Sequence, residues 1–455
     1  MRVVKNIIFL YLAYFLTFLA GFLQLKILTL FIPKDALGHF FFAGNVGLFL
    51  GSILLLGFPL VFQRYIPIYR RDEMKDKEAS LIYLAFSLHI AVGIILFIAV
   101  YYLKGISFLL PFSAFYLLST YSIPLFAFIS QEKAYYYAIY SSLRIGAVVV
   151  FLYLTRRILN IERASLIILI STIACMVPAL LSSARPVFRF KQVFREIKAF
   201  LKYSFFSQLL SPFFQYLDGI LIPLFMPYSF LSIFTVARKL DFGSRQILEI
   251  PLQATAPYIS SKKEDETREE LFRKGFNIFR TVYFYAALTI FFIFLFFGRR
   301  LIVLVSSPSY LDAYPHLILL SLSLLVSSIF APDAMYSRSV GRVDIFFYKD
   351  VVWVFSFLLY IFVAAPHFKL YGFSSAFVFA SLLTLIYQTS KLRTAPLVEY
   401  IYDILRVVLI SVGAYVFYLR GNYFLPFLIL MLIITVDFRK IIEVYNFYRK
   451  YSKKG

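Results

Sequence analysis

The chain has 455 residues, of which 61% are hydrophobic and 15% charged, whereas soluble proteins average about 25% charged. An apolar excess of this size cannot be hidden inside a water-soluble fold of this length, so soluble enzymes, nucleic-acid binders and secreted scaffolds are excluded together. What remains is an all-α polytopic membrane protein, and its net charge of +22 then reads as basic cytoplasmic loops or a basic transport cavity.

A spanning helix needs about 20 mostly apolar residues. In chain order, such runs fall at 7–32, 39–62, 80–103, 106–129, 135–154, 165–183, 204–225, 229–258, 276–298, 315–337, 347–366, 370–390, 402–419 and 422–437. The first follows Met1-Arg-Val-Val-Lys-Asn, is too long for a signal-peptide core, and reads as a retained span. With the N-terminus in the cytoplasm, inside segments hold 29 Lys/Arg and outside segments hold 9. That bias fits fourteen spans with both termini cytoplasmic, the loop with Arg156, Arg157 and Arg163 being the exception.

Between the sixth and seventh runs lies 187–203, where Phe190, Val193, Phe194, Ile197, Phe200 and Leu201 recur at helical spacing. Arg189, Arg195, Glu196, Lys198 and Lys202 fill the other face. The pattern predicts a basic amphipathic helix lying on the cytoplasmic surface. The expected division is an N-terminal six-helix bundle over 1–186, this linker helix, a C-terminal six-helix bundle over 204–390, and two extra helices with a basic tail over 391–455.

An internal repeat supports that division. Phe31-Ile-Pro33-Lys-Asp-Ala-Leu37-Gly-His-Phe40-Phe-Phe-Ala43 aligns with Phe225-Met-Pro227-Tyr-Ser-Phe-Leu231-Ser-Ile-Phe234-Thr-Val-Ala237 at a constant offset of 194. Six helices separate the copies, which predicts two halves related by a pseudo-two-fold axis along the membrane normal.

Charges inside the runs need a reason, since each costs roughly 2.5–3.5 kcal/mol at mid-bilayer. Lys26 and Asp218 precede Pro33 and Pro227 at similar depth, which suggests an opposed pair across a cavity. Arg144 lies in mid-helix, roughly 14 Å from the end at 1.5 Å per residue. Arg238, Asp241, Arg245 and Glu249 are spaced to form one helical stripe, with Lys239 beside it. Lys26, Arg144, Arg238, Lys239 and Arg245 are therefore candidate substrate-binding cations. Asp218, Asp241 and Glu249 are candidate gate or ion-coupling groups. The lone Cys175 forms no intramolecular disulfide and supplies no metal-site spacing, no cofactor is expected, and no Gly-x-x-x-x-Gly-Lys-Ser/Thr for direct ATP use is present.

Four stretches carry a family likeness: Gly57-Phe-Pro-Leu-Val-Phe-Gln-Arg64-Tyr65-Ile-Pro67; Asp218-Gly-Ile-Leu-Ile-Pro through Ala237-Arg-Lys239-Leu240 and Pro257-Tyr-Ile-Ser; Phe297-Gly-Arg-Arg-Leu-Ile through Tyr310-Leu-Asp-Ala313; and Leu370-Tyr-Gly372-Phe-Ser-Ser-Ala376. Their order resembles the polysaccharide exporters of the multidrug/oligosaccharidyl-lipid/polysaccharide superfamily, the Wzx-type flippases. The murein-precursor flippase is a cousin, although Lys26 here lacks the acidic neighbour found in that protein's first helix. The resemblance implies flipping of a polyprenyl-(di)phosphate-linked oligosaccharide across the cytoplasmic membrane by alternating access through a cationic cavity. Membrane lipids, Na⁺ or H⁺, and glycosyltransferases of the same pathway are the expected partners; nucleic acid is not. The alternatives are a cation-coupled multidrug antiporter of the same superfamily, or a membrane scaffold or enzyme of polysaccharide assembly.

Overall fold

The computed structural model describes residues 2–260, 266–331 and 343–391, and among these the regular structure is helical throughout. The elements are α1 (Arg2–Phe31), α2 (Lys34–Leu54), α3 (Phe58–Arg71), α4 (Lys75–Lys104), α5 (Ile106–Ser130), α6 (Ala134–Leu154), α7 (Ile161–Ser183), α8 (Phe190–Leu209), α9 (Ser211–Phe225), α10 (Tyr228–Ser260), α11 (Glu266–Val305), α12 (Tyr314–Ser328), α13 (Val343–Phe368) and α14 (Leu370–Lys391). Ten described helical segments are long and apolar enough to cross a membrane. Of the other expected runs, two correspond to α9, with only 15 residues, and to the charge-bearing α10; the runs 402–419 and 422–437 lie outside the described residues. Large apolar side chains stay exposed on the helix surfaces, as at Ile94, Ile95 and Ile98 of α4. In lipid that exposure carries no penalty, because the chain tails are as apolar as the side chains. The protein is a multi-pass membrane protein.

The chain divides into two compact units. Unit 1 comprises Met1–Val236 with Ile302–Leu311, and unit 2 comprises Ala237–Leu301 with the chain from Asp312 onward. In unit 1, α5 is the central helix, packed by α2, α3, α4, α6 and α7, while α1 lies along α6. In unit 2, α14 packs on both α12 and α13, and residues of α11, α12 and α14 share one aromatic-rich core around Phe291, Phe292 and Leu324.

Local chemistry explains the boundaries. Pro33 follows the end of α1 and caps α2, and Pro227 does the same between α9 and α10. Both copies of the repeat therefore break at the same aligned position, because proline cannot continue the helix before it. The two copies also touch: a Cβ on Gly38 of α2 would fall 1.8 Å from the Tyr228 carbonyl oxygen.

The run 39–62 is not one helix. It is interrupted at Leu55–Gly57, where Gly57 takes φ +78 and caps α3. Only glycine enters that region without cost, and a Cβ there would meet Ser204 and Phe205 at 2.6 Å. The helix over 187–203 runs on to Leu209 as α8, and the following apolar run begins only at Ser211, where Pro212 occupies the first turn of α9. The run 276–298 is likewise part of a longer helix, so Arg299 and Arg300 are helical rather than in a loop.

α8 is docked on α3 and α4. Val193 and Ile197 are fully buried, whereas Phe194 is 45% exposed and lies off the buried face. The Glu196 carboxylate accepts hydrogen bonds from Lys77 at 2.6 Å and from the Tyr69 hydroxyl at 2.9 Å. Burial, together with that carboxylate, raises the Tyr69 phenol above its ordinary range. Arg189 reaches Asp76 at 2.9 Å. Replacing Gly57 with Val should strain the α2–α3 break and push apart the end of α8. A stability loss of roughly 1–3 kcal/mol is expected, read as a lowered thermal midpoint in detergent; an unchanged midpoint would show the junction to be slack.

Candidate functional site

The cations of unit 2 sit on α10. Their spacing puts Arg238, Asp241 and Arg245 on one helical face, and the side chains meet there. Arg238 Nη1 donates to Asp241 Oδ2 at 2.9 Å, and Arg245 Nε donates to the same oxygen at 2.8 Å. Asp241 is completely buried, and its other oxygen, Oδ1, has no hydrogen-bond partner among the described residues. One carboxylate oxygen therefore receives two guanidiniums on the same face of α10.

Neighbouring helices hold this cluster. Arg245 Nη2 donates to the Leu320 carbonyl at 3.2 Å and to Ser323 Oγ at 3.3 Å, and Ser323 shares a hydrogen bond with Ser381 at 3.0 Å. The Arg238 guanidinium lies 4.6 Å from the centroid of the Phe377 ring, a cation–π geometry. Sequence reading did not single out Ser323, Ser381 or Phe377, since serine and phenylalanine are common throughout this chain and only packing selects these. The Glu249 side chain lies outside the described residues.

In unit 1, Lys26 has a definite task. Its ammonium donates to the carbonyl of Val303, at 2.5 Å, and to that of Ser306. These carbonyls belong to the C-terminal end of α11, where backbone acceptors have no helical partner and the helix dipole favours a cation. Lys34, at the start of α2, donates to the Ser309 carbonyl and lies 5.2 Å from the Tyr310 ring centroid. The two lysines thus fasten 302–311 to the first two helices. Asp218 is buried in α9, and its Oδ1 accepts from the Gly219 amide at 2.8 Å. The neighbouring Gly219 leaves room for Asn45 of α2, whose side chain would lie 1.9 Å from a Cβ there.

Arg144 lies on α6, half-buried, with its guanidinium 5.9 Å from the Tyr121 ring centroid. No carboxylate lies within 4.0 Å of it among the described residues. In the loop with Arg156, Arg157 and Arg163, Asn160 caps α7 by accepting from the Arg163 amide, and Arg156 lies 4.0 Å from the Tyr153 ring centroid.

Long apolar helices in two compact units, with cations held on buried or half-buried helix faces, define a polytopic membrane protein. The chain matches the family described as polysaccharide biosynthesis protein over residues 3–263; that is more than half its length, and the chain belongs to this family. No curated protein matches it in sequence. Among solved structures it is similar to the lipid II flippase MurJ in an inward closed conformation, with a TM-score of 0.74 and 14% identity, covering 96% of this chain and 100% of that one. The Vibrio cholerae MATE transporter VcmN (D35N mutant) aligns with a TM-score of 0.61 and 12% identity, over 88% of this chain and 98% of that one. A MOP superfamily transporter from Pyrococcus furiosus, described as having a binding pocket of reverse polarity, aligns with a TM-score of 0.58 and 13% identity, over 90% and 96%. The chain shares the fold of these three structures.

Removing Asp241 as Ala should leave two guanidiniums facing each other and cost roughly 3–5 kcal/mol. Removing Lys26 as Ala should leave the α11 carbonyls without their donor and cost about 1–3 kcal/mol, with Lys26→Arg retaining most of the stability. Thermal unfolding in detergent checks both, and wild-type midpoints in the alanine variants would refute these roles.

Proposed function

We propose that this protein flips a polyprenyl-(di)phosphate-linked oligosaccharide from the inner to the outer leaflet of the cytoplasmic membrane, by alternating access through a cationic cavity. The observation that carries this reading is the pair of guanidiniums on one buried face of α10, where Arg238 and Arg245 meet on one oxygen of Asp241. Family membership and the likeness to a lipid II flippase support it. An anionic phosphate head cannot cross hydrocarbon with its water shell. Fixed guanidinium and ammonium groups replace that shell, arginine through paired N–H groups that match phosphate oxygens.

In this proposal Arg238, Lys239 and Arg245 meet the phosphate, with Lys26 and Arg144 as the cations of unit 1. Asp218, Asp241 and Glu249 serve as gate or ion-coupling groups, with Na⁺ or H⁺ as the coupled ion. Residues 1–186 and 204–390 act as two six-helix halves joined by the surface helix, and glycosyltransferases of the pathway supply the substrate. A multidrug antiporter would have to admit a cationic drug beside the guanidiniums of Arg238 and Arg245, a like-charge approach that is unfavourable in a low-dielectric site.

Vesicles containing only the purified protein should move a fluorescent polyprenyl-diphosphate sugar to a leaflet where an added quencher reaches it. Lys239→Gln should abolish this while the variant inserts and unfolds like wild type. Absence of movement in wild-type vesicles, or full movement in the variant, would sink the assignment. Topology is tested separately. Leu159→Cys and Ser307→Cys should label from outside, and Asp265→Cys and Gly455→Cys only from inside, with little background because native Cys175 is buried. Outside labelling at 265 contradicts the proposed orientation.

A further inference from the structure

The outward face of α8 carries charge of one sign only. Lys191, Arg195, Lys198 and Lys202 are spaced 4, 3 and 4, so they fall on one stripe about 16 Å long. All four are exposed, and among the described residues none has a carboxylate within 4.0 Å. Glu196, the helix's one carboxylate, turns the other way, to Lys77 and Tyr69. Cations around the helix are paired, Arg189 with Asp76 and Arg71 with Asp72. Phe194 and Phe206 border the stripe, and both are exposed.

A helix facing only water gains from carboxylates set among its cations, because like charges three and four residues apart repel. Acidic partners are present beside α8 and absent from the stripe. The apolar side of α8 is not free to enter a membrane, since Val193 and Ile197 are buried in the core shared with α3 and α4. What α8 offers to a surface is therefore the opposite face, a line of charge with an aromatic ring at each edge. Four fixed cations match a layer of phosphodiester headgroups, and aromatic side chains are favoured at the same depth. An acidic protein patch could meet the charges equally well. Lipid is favoured because α8 passes through Leu210 straight into the apolar α9, which keeps the stripe near the headgroup layer.

We infer that this face of α8 is a docking surface for the headgroups of anionic phospholipids, held by charge rather than by insertion of the helix's apolar side. The inference goes beyond the proposed function and stands whether or not the protein flips a substrate. Glu196 and Arg189 tie α8 to α3 and α4, so bound lipid acts on a helix fixed to the bundle and not on a loose linker.

Native mass spectrometry of the purified full-length protein, equilibrated in micelles containing equal phosphatidylglycerol and phosphatidylcholine, tests this. Wild type should retain phosphatidylglycerol selectively, and equilibration in high salt should reduce the preference, because exposed charges are screened. The combined variant Lys191→Gln, Arg195→Gln, Lys198→Gln and Lys202→Gln should lose the preference about tenfold or more. Arginine at the three lysine positions should keep it, which separates charge from fold. A photo-cross-linking phenylalanine analogue at position 194 should capture phosphatidylglycerol over phosphatidylcholine, a readout of this face that does not depend on the combined variant. Equal retention of the two lipids by wild type, an undiminished preference in the combined variant, or equal capture at position 194 overturns the proposal. Binding of polyglutamate with no preference between the lipids also overturns it, in favour of an acidic protein partner.

Discussion

A charge carried into hydrocarbon must be given partners, and most of what is distinctive in this molecule follows from that constraint. The apolar sequence commits the chain to helices, because only a helix satisfies its own backbone away from water. Cations then appear on those helices in three kinds of surroundings. Lys26 is held by carbonyls at a helix end, Arg238 and Arg245 share a buried carboxylate, and Arg144 faces tyrosines. Carbonyls, a shared carboxylate and aromatic rings are thus three different answers to the same cost.

The lysine clamp has a topological effect as well. Residues 302–311 begin in the last turn of α11, yet they belong with the first unit, where Lys26 and Lys34 take their carbonyls. Backbone acceptors that a helix cannot satisfy at its own C-terminus are satisfied by side chains from almost three hundred residues earlier. A helix end is a demand for donors, and here that demand fixes which unit the segment joins.

Several devices were legible in the residues themselves. Spacing alone put Arg238, Asp241 and Arg245 on one stripe, since three and four residues make one helical turn, and their side chains do meet. Proline at 33 and 227 marked where helices had to stop. The break at Gly57 was not legible. Its apolar neighbours continue the run on either side, and the reason for glycine is the approach of Ser204 from a distant helix. Phe194 shows the converse: periodicity placed it on the apolar face, yet α8 docks on α3 and α4 through Val193 and Ile197 and leaves it exposed.

Composition and periodicity therefore determined the class, the all-helical membrane architecture and the positions of most helices, because hydrocarbon thickness and backbone self-satisfaction leave few alternatives. The order of the four resembling stretches pointed to the family. Tertiary structure alone decided the partner of each charge. Lys26 could be placed in a helix by its neighbours, but that it would serve the carbonyls of Val303 and Ser306 depends on packing between segments far apart in the chain. The same holds for Tyr121 against Arg144. Local sequence specifies where a charge lies along a helix, and only the packing of other helices specifies what it faces.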